Sequence, residues 1–194
     1  MATMIEAPAA TLTYEAYMAE PEVQGRYDIV NGVRITMPGA TWRHQRIAKH
    51  IEKAFDRYEE SAGVGLNVSA PFDVLIRRFP KLQTRQTDVL FVSHARLAQG
   101  GGIPEVGPLE VAPELVVEVV SNSETQRILG DKIADYISIG VDECWVVRPD
   151  DRTVEVLALT PGGARSVATF TDGQAVVSGV FAGLAVAVAA LFAP

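Results

Sequence analysis

The sequence predicts an α/β fold with a mixed central sheet flanked by helices, and three stretches carry that prediction. Leu115-Val116-Val117-Glu118-Val119-Val120, just after Pro113, is a continuous apolar run interrupted once, the pattern of a strand covered on both faces. The segment behind it has helix signals at both ends. Ser121-Asn122-Ser123-Glu124 has capping-box spacing, Ser123 with Gln126 offers a second register, and the helix runs to about Ile139 with Gly140 as its C′ residue. Thr41 to Glu60 is a long amphipathic helix whose Ile47, Ile51, Phe55 and Tyr58 form one buried stripe. With 194 residues and 48% hydrophobic content, the chain can build one sizeable core and reads as a single domain, residues 1–194, with a loose start over 1–12.

The remaining elements follow in order. Thr13 caps a short helix through Tyr14, Tyr17 and Met18, which Pro21 closes. Tyr27 to Met37 is an N-terminal hairpin on a two-residue Asn31-Gly32 turn, the strongest type I′ signal. That turn sets Val30 opposite Val33 and Asp28 opposite Ile35. Asp28 therefore falls on an apolar face and reads as an edge position with access to water. Leu66 to Val68 and Phe72 to Ile76 are further strands. Arg77 to Arg85 carries four basic residues in nine, the pattern of a solvent loop suited to nucleic-acid backbone. Thr87 to Val92 is a strand opened by Asp88, on the face of Leu90 and Val92. The long connection from Ser93 to Pro113, with Gly100 to Gly102, reads as a lid, a binding loop or slack. Glu143 to Val147 is another buried strand, Pro149 to Arg152 a turn, and Thr153 to Leu159 the hairpin partner. Pro161-Gly162-Gly163 turns again, with strand character from Ser166 to Phe170. The uncharged tail, Val176 to Ala193, reads as a strand and a short terminal helix on the core. It is interrupted by Ser178, Gly179 and Gly183 and lacks a basic flank, so no membrane partner is expected.

Composition removes several function classes. A net charge of −7 argues against binding nucleic acid through the mean field, though not against a local basic groove. The one cysteine, Cys144, can form no internal disulfide and sits beside Trp145 in an apolar run, where burial is expected. No signal peptide opens the chain, and a cytoplasmic location is expected. His44, His50 and His94 have no zinc spacing, Gly100 to Gly102 lacks the Gly-Lys-Ser/Thr of a phosphate loop, and there is no Gly-x-Ser-x-Gly elbow.

The chemistry-bearing residues are Asp88, Glu118 and Lys132. An ionised carboxylate inside an apolar strand is costly, so Glu118 must be paired, protonated or metal-bound. Asp88 opens a neighbouring strand, and Lys132 lies one or two turns into the helix after Glu118, so two acids and an amine can converge. Mg²⁺ is commonly held by one or two carboxylates plus a substrate phosphate, whereas a purely structural acid–lysine pair has the same spacing. His44 extends the buried stripe of its helix and reads first as a packing residue. Tyr136, one turn after Lys132 on the same face, reads as packing with support of the site as its alternative. Arg43, Arg46, Lys49 and Lys53 read mostly as a solvated face.

In order, Tyr27-Asp28-Ile29-Val30-Asn31-Gly32, His44-Gln45, Thr87-Asp88-Val89, Pro113 to Ser121, Asp131-Lys132, Tyr136, Gly140-Val141 and Trp145-Val146-Val147 resemble the Uma-two family of restriction endonucleases in the PD-(D/E)xK nuclease superfamily. The resemblance spans nearly the whole chain from Thr13. It implies a restriction-endonuclease-like core and Mg²⁺-dependent cleavage of DNA, with Mn²⁺ as a substitute. By position it makes Asp88 and Glu118 the metal-binding acids and Lys132 the catalytic amine, since Val120 stands where the in-strand lysine usually does. Asp28, His44 and Tyr136 are possible accessory residues. Thr87, Asn122, Asp28 and Arg148 depart from the common pattern, and the Asp28 change weakens the case for a fourth carboxylate role. DNA is the implied substrate and a homodimer a plausible form. The competing reading is a module of the same fold that binds DNA or protein without cutting.

Overall fold

In the computed structural model residues 11–21, 23, 25–121 and 125–193 are described. The expected loose start thus lies largely outside the described residues, as do Asn122, Ser123 and Glu124 of the expected capping box. Thr13 accepts a hydrogen bond from the Ala16 N–H and caps α1 (Tyr14–Ala19). The hairpin β1 (Tyr27–Val30) and β2 (Val33–Thr36) has the expected register, with Val30 opposite Val33 and Asp28 opposite Ile35. Asn31 and Gly32 take φ of 52° and 78°, as a type I′ turn demands.

Thr41 caps α2 (Trp42–Ala62), and Gly63, at φ 61°, ends it. Its buried face is His44, Ile47, Ile51 and Phe55. β3 (Gly65–Ser69), β4 (Val74–Arg77), β5 (Gln83–Arg85) and β6 (Val89–Ser93) follow. The basic segment is therefore only partly a solvent loop. Residues 77–81 are exposed, but 82–92 are buried without a break, and Arg85 lies in a strand. Nor is the long connection after Ser93 without structure, because the Ser93 side chain caps α3 (His94–Gln99). β7 (Leu115–Val119) is buried at all five positions. α4 (Gln126–Ile139) is capped by Thr125, whose side chain accepts from the Ile128 N–H, rather than by a serine of the expected box. Gly140 ends it at φ 91°. β8 (Glu143–Arg148), β9 (Thr153–Thr160), β10 (Gly163–Phe170), the β11 (Ala175–Val177) and β12 (Ala185–Ala187) hairpin, and α5 (Val188–Leu191) complete the chain.

The main sheet has the order β10-β9-β8-β7-β6-β3, with β7 and β8 parallel and the other pairings antiparallel. A second sheet has the order β2-β1-β5-β4. β7 lies inside the main sheet, which explains its unbroken apolar run: both faces need cover. Alternation divides it. Leu115, Val117 and Val119 join a core with Ile47, Ile51, Phe55 and Trp145 on the α2 side, whereas Val116 packs with Leu129, Tyr136 and Cys144 on the α4 side. The apolar tail is spent on the α2 side, where Val176, Phe181, Leu184, Val188 and Leu191 join the core. Among the described residues no helix is long and apolar enough to cross a membrane.

Gly65 shows how closely β3 approaches β6. A Cβ there would lie 2.3 Å from the Val92 carbonyl oxygen and 2.8 Å from the Phe91 ring. Gly65→Ala is expected to cost about 1–3 kcal/mol through forced backbone movement, read as a lower urea midpoint. An unchanged midpoint would refute this.

Candidate active site

Glu118 occupies the fourth position of β7, and alternation sends its side chain to the α4 side. There it meets two residues one helical turn apart. Lys132 Nζ donates to Glu118 Oε2 at 2.8 Å, and the Tyr136 hydroxyl donates to Glu118 Oε1. Burial, then the charge of Glu118 and this hydrogen bond, raise the Tyr136 pKa well above the usual tyrosine value. Tyr136 thus stays a proton donor and holds the Glu118 carboxylate in place.

Asp88 reaches the same place from β6. Val89 pairs with Val117, and the Asp88 N–H donates to the Val117 carbonyl at 3.1 Å, so continuing the antiparallel register sets Asp88 across from Glu118. Thr87 secures this strand end, its hydroxyl donating to the Val117 carbonyl at 2.8 Å. Three donors converge on Asp88: Arg26 Nη1 at 2.5 Å from Oδ1, the Val119 N–H at 2.6 Å from Oδ2, and His44 Nε2 at 3.3 Å from Oδ2. Burial pushes the Asp88 pKa up, but the His44 hydrogen bond, the Arg26 charge and the Val119 N–H outweigh it and hold the carboxyl below its usual range. A depressed folded-state pKa contributes stability that is fully present above the unfolded value of about 4 and is lost as pH falls through the folded value. Between about pH 6 and about pH 3 the melting temperature of the native chain is therefore expected to fall more steeply than that of Asp88→Asn. Parallel slopes would exclude Asp88 as the source.

Asp28 is not the solvated edge residue that its hairpin position suggests. β1 is flanked by β2 and β5, and Asp28 is only 4% exposed. It accepts from Arg85 Nη1 at 2.7 Å and from the Gln86 N–H at 3.0 Å. Arg85 also reaches Asp135 on α4 at 2.7 Å, and so ties the small sheet to the helix that carries Lys132.

One cavity of about 800 Å³ is lined by Asp28, His44, Asp88, Glu118, Lys132 and Arg26. Val30, Ile35 and Met37 of the hairpin form an apolar wall of it. Five of the six candidate residues line this cavity. Tyr136 does not, and stands behind Glu118 as its support. His44 thus does more than extend a packing stripe. Arg43 pairs with Asp150 at 2.8 Å and Lys49 with Glu52 at 2.9 Å, as ordinary surface charges do.

Two residues at the site were not anticipated from sequence, Arg26 and Arg85. A signal existed for the first: Arg26 lies two residues before Asp28, and in extended chain that spacing places both on one face. Arg85 entered only as the end of a basic segment suited to nucleic-acid backbone, and the polar stretch Gln83-Thr84-Arg85 carries no local sign of burial.

A family model described as "putative restriction endonuclease", Uma2, matches residues 13–189. The chain belongs to the Uma2 family. A solved structure with the same fold is that of a "putative nuclease belonging to DUF820" from Anabaena variabilis, with TM-score 0.74 and 17% identity over 93% of this chain and 97% of that one. No curated protein matches this Uma2 chain in sequence. The expected mixed α/β architecture, restriction-endonuclease-like with an added hairpin, is the one that this Uma2 chain adopts.

Proposed function

We propose that the chain hydrolyses DNA phosphodiester bonds as a Mg²⁺-dependent endonuclease, with Mn²⁺ able to replace Mg²⁺. The observation that carries this reading is the shared cavity of Asp88, Glu118 and Lys132, contributed by a strand end, the adjoining strand and the next helix. The family's description supports it. Among the described residues no group of three or more His, Cys, Asp or Glu side chains is placed to hold a metal. The donor set in this reading is the two carboxylates Asp88 and Glu118, a number that Mg²⁺ accepts when waters and a substrate phosphate complete its shell.

In this reading Asp88 and Glu118 are the metal ligands. A cation held there would polarise the phosphodiester, acidify a water and offset charge on the leaving oxygen. Lys132 brings an ammonium with three donors, enough to hold Glu118 while orienting the attacking water or offsetting charge on the phosphate. Asp28, His44 and Tyr136 are support: Tyr136 orients Glu118, His44 orients Asp88, and Asp28 anchors Arg85 in the wall. Cutting both strands of a duplex takes two such sites, which keeps a homodimer within the proposal.

The charge pairing favours one rival. Asp88, Glu118 and Asp28 each have a resident cation within 2.8 Å, as a non-cleaving DNA- or protein-binding module would. Incubation with supercoiled plasmid separates the two. Nicked and linear DNA is expected with Mg²⁺ or Mn²⁺, and none after chelation by EDTA. Intact plasmid under every metal condition would overturn the nuclease reading.

A further inference from the structure

We propose that Arg26 is a phosphate-binding residue held in reserve on Asp88: a divalent cation displaces its guanidinium, which then turns to the DNA backbone. The inference rests on the nuclease reading and adds to it a link between metal and substrate.

Three observations lead there. First, Arg26 and a metal would claim the same group, since Arg26 Nη1 lies 2.5 Å from Asp88 Oδ1. A second cation at that carboxylate meets the guanidinium charge at close range, so both do not stay. Second, Arg26 is incompletely satisfied where it rests. Nη2 donates to the Gln86 carbonyl at 3.0 Å, but Nε is buried and has no hydrogen-bond partner among the described residues. A buried donor without an acceptor is costly, and a phosphate offers acceptors in the fork geometry that a guanidinium fits. Third, Arg26 is free to leave in a way that Arg85 is not. Arg85 is clamped between Asp28 and Asp135 with 7% side-chain exposure, whereas Arg26 has one carboxylate partner among the described residues, is 19% exposed and lines the cavity.

The consequence is positive coupling. The metal frees Arg26 for phosphate, and phosphate, by keeping Arg26 off Asp88, strengthens metal binding to the same degree. Metal affinity in the absence of DNA is then lower than two carboxylates alone would give.

Isothermal titration of Mn²⁺ into the full chain tests this, using the native sequence and Arg26→Gln, each with and without a mixed-sequence phosphorothioate oligonucleotide. Arg26→Gln is expected to bind Mn²⁺ about tenfold more tightly without DNA, and to lose most of the extra affinity that DNA confers on the native chain. A folded Arg26→Gln with equal or weaker Mn²⁺ binding overturns the inference and leaves the nuclease reading standing. No Mn²⁺ binding by either protein overturns that reading itself. Should Arg26→Gln fail to fold, ¹⁵N NMR of the native chain decides. The Arg26 Nε–H resonance is expected to move as Mg²⁺ is added and again with DNA, and an unmoved resonance at Mg²⁺ saturation overturns the inference.

Discussion

Alanine at position 88 is expected to lower Mg²⁺-dependent DNA cleavage by about 10²–10³-fold while leaving the chain folded. The carboxylate is one of two metal ligands in the proposed site, and Asp28, which lines the same cavity, is already engaged by Arg85 and the Gln86 N–H. The structural cost is smaller. The Val119 N–H and His44 Nε2 lose their acceptor, while Arg26, partly exposed, can turn to water. That is about 1–3 kcal/mol, within what a domain of this size tolerates. Initial cleavage rates on plasmid, paired with a thermal melt, check both halves. A folded Asp88→Ala that keeps more than roughly a tenth of native activity would remove Asp88 from the proposed chemistry.

Glu118→Ala is expected to do the opposite in proportion, abolishing cleavage and also costing about 3–5 kcal/mol of stability. The reason is the burial of its partners. Lys132 is 5% exposed and Tyr136 fully buried, so removing the carboxylate takes a hydrogen-bond acceptor from an ammonium and a hydroxyl in the α4-side core. Removing both charges together removes the desolvation penalty as well. Glu118→Met with Lys132→Met is therefore expected to recover much of the lost stability, with no activity. Urea unfolding of the three variants gives the comparison. If Glu118→Ala lies within about 1 kcal/mol of the native chain, the pair is no more than a surface contact and the buried-site argument fails.

Local sequence already contained much of this site. Glu118 in an otherwise apolar strand could not be neutral bystander chemistry, because an unpaired charge there is too costly, and a helix one loop away offered Lys132 and Tyr136 at turn spacing. The Asn31-Gly32 turn settled the hairpin register, since few other residue pairs adopt two successive positive φ values. What misled was polarity. Gln83 to Arg85 is polar throughout and reads as loop, yet it is buried at every position because Gln83 and Arg85 both bond Asp135 of α4 and Arg85 also bonds Asp28 of β1. Asp28 misled for the same reason: its burial depends on Arg85, 57 positions away.

By itself, then, the sequence determined most of the elements, their buried faces and the two acids and amine proposed to carry chemistry, because periodicity, capping and the cost of a buried charge are local or pairwise physics. Only the tertiary structure decided which charges meet. The pairings of Arg26 with Asp88, Arg85 with Asp28 and His44 with Asp88 join segments 62, 57 and 44 residues apart. A long, flexible charged side chain carries no periodic signal of its own, so its partner is set by which strands adjoin and which helix crosses them.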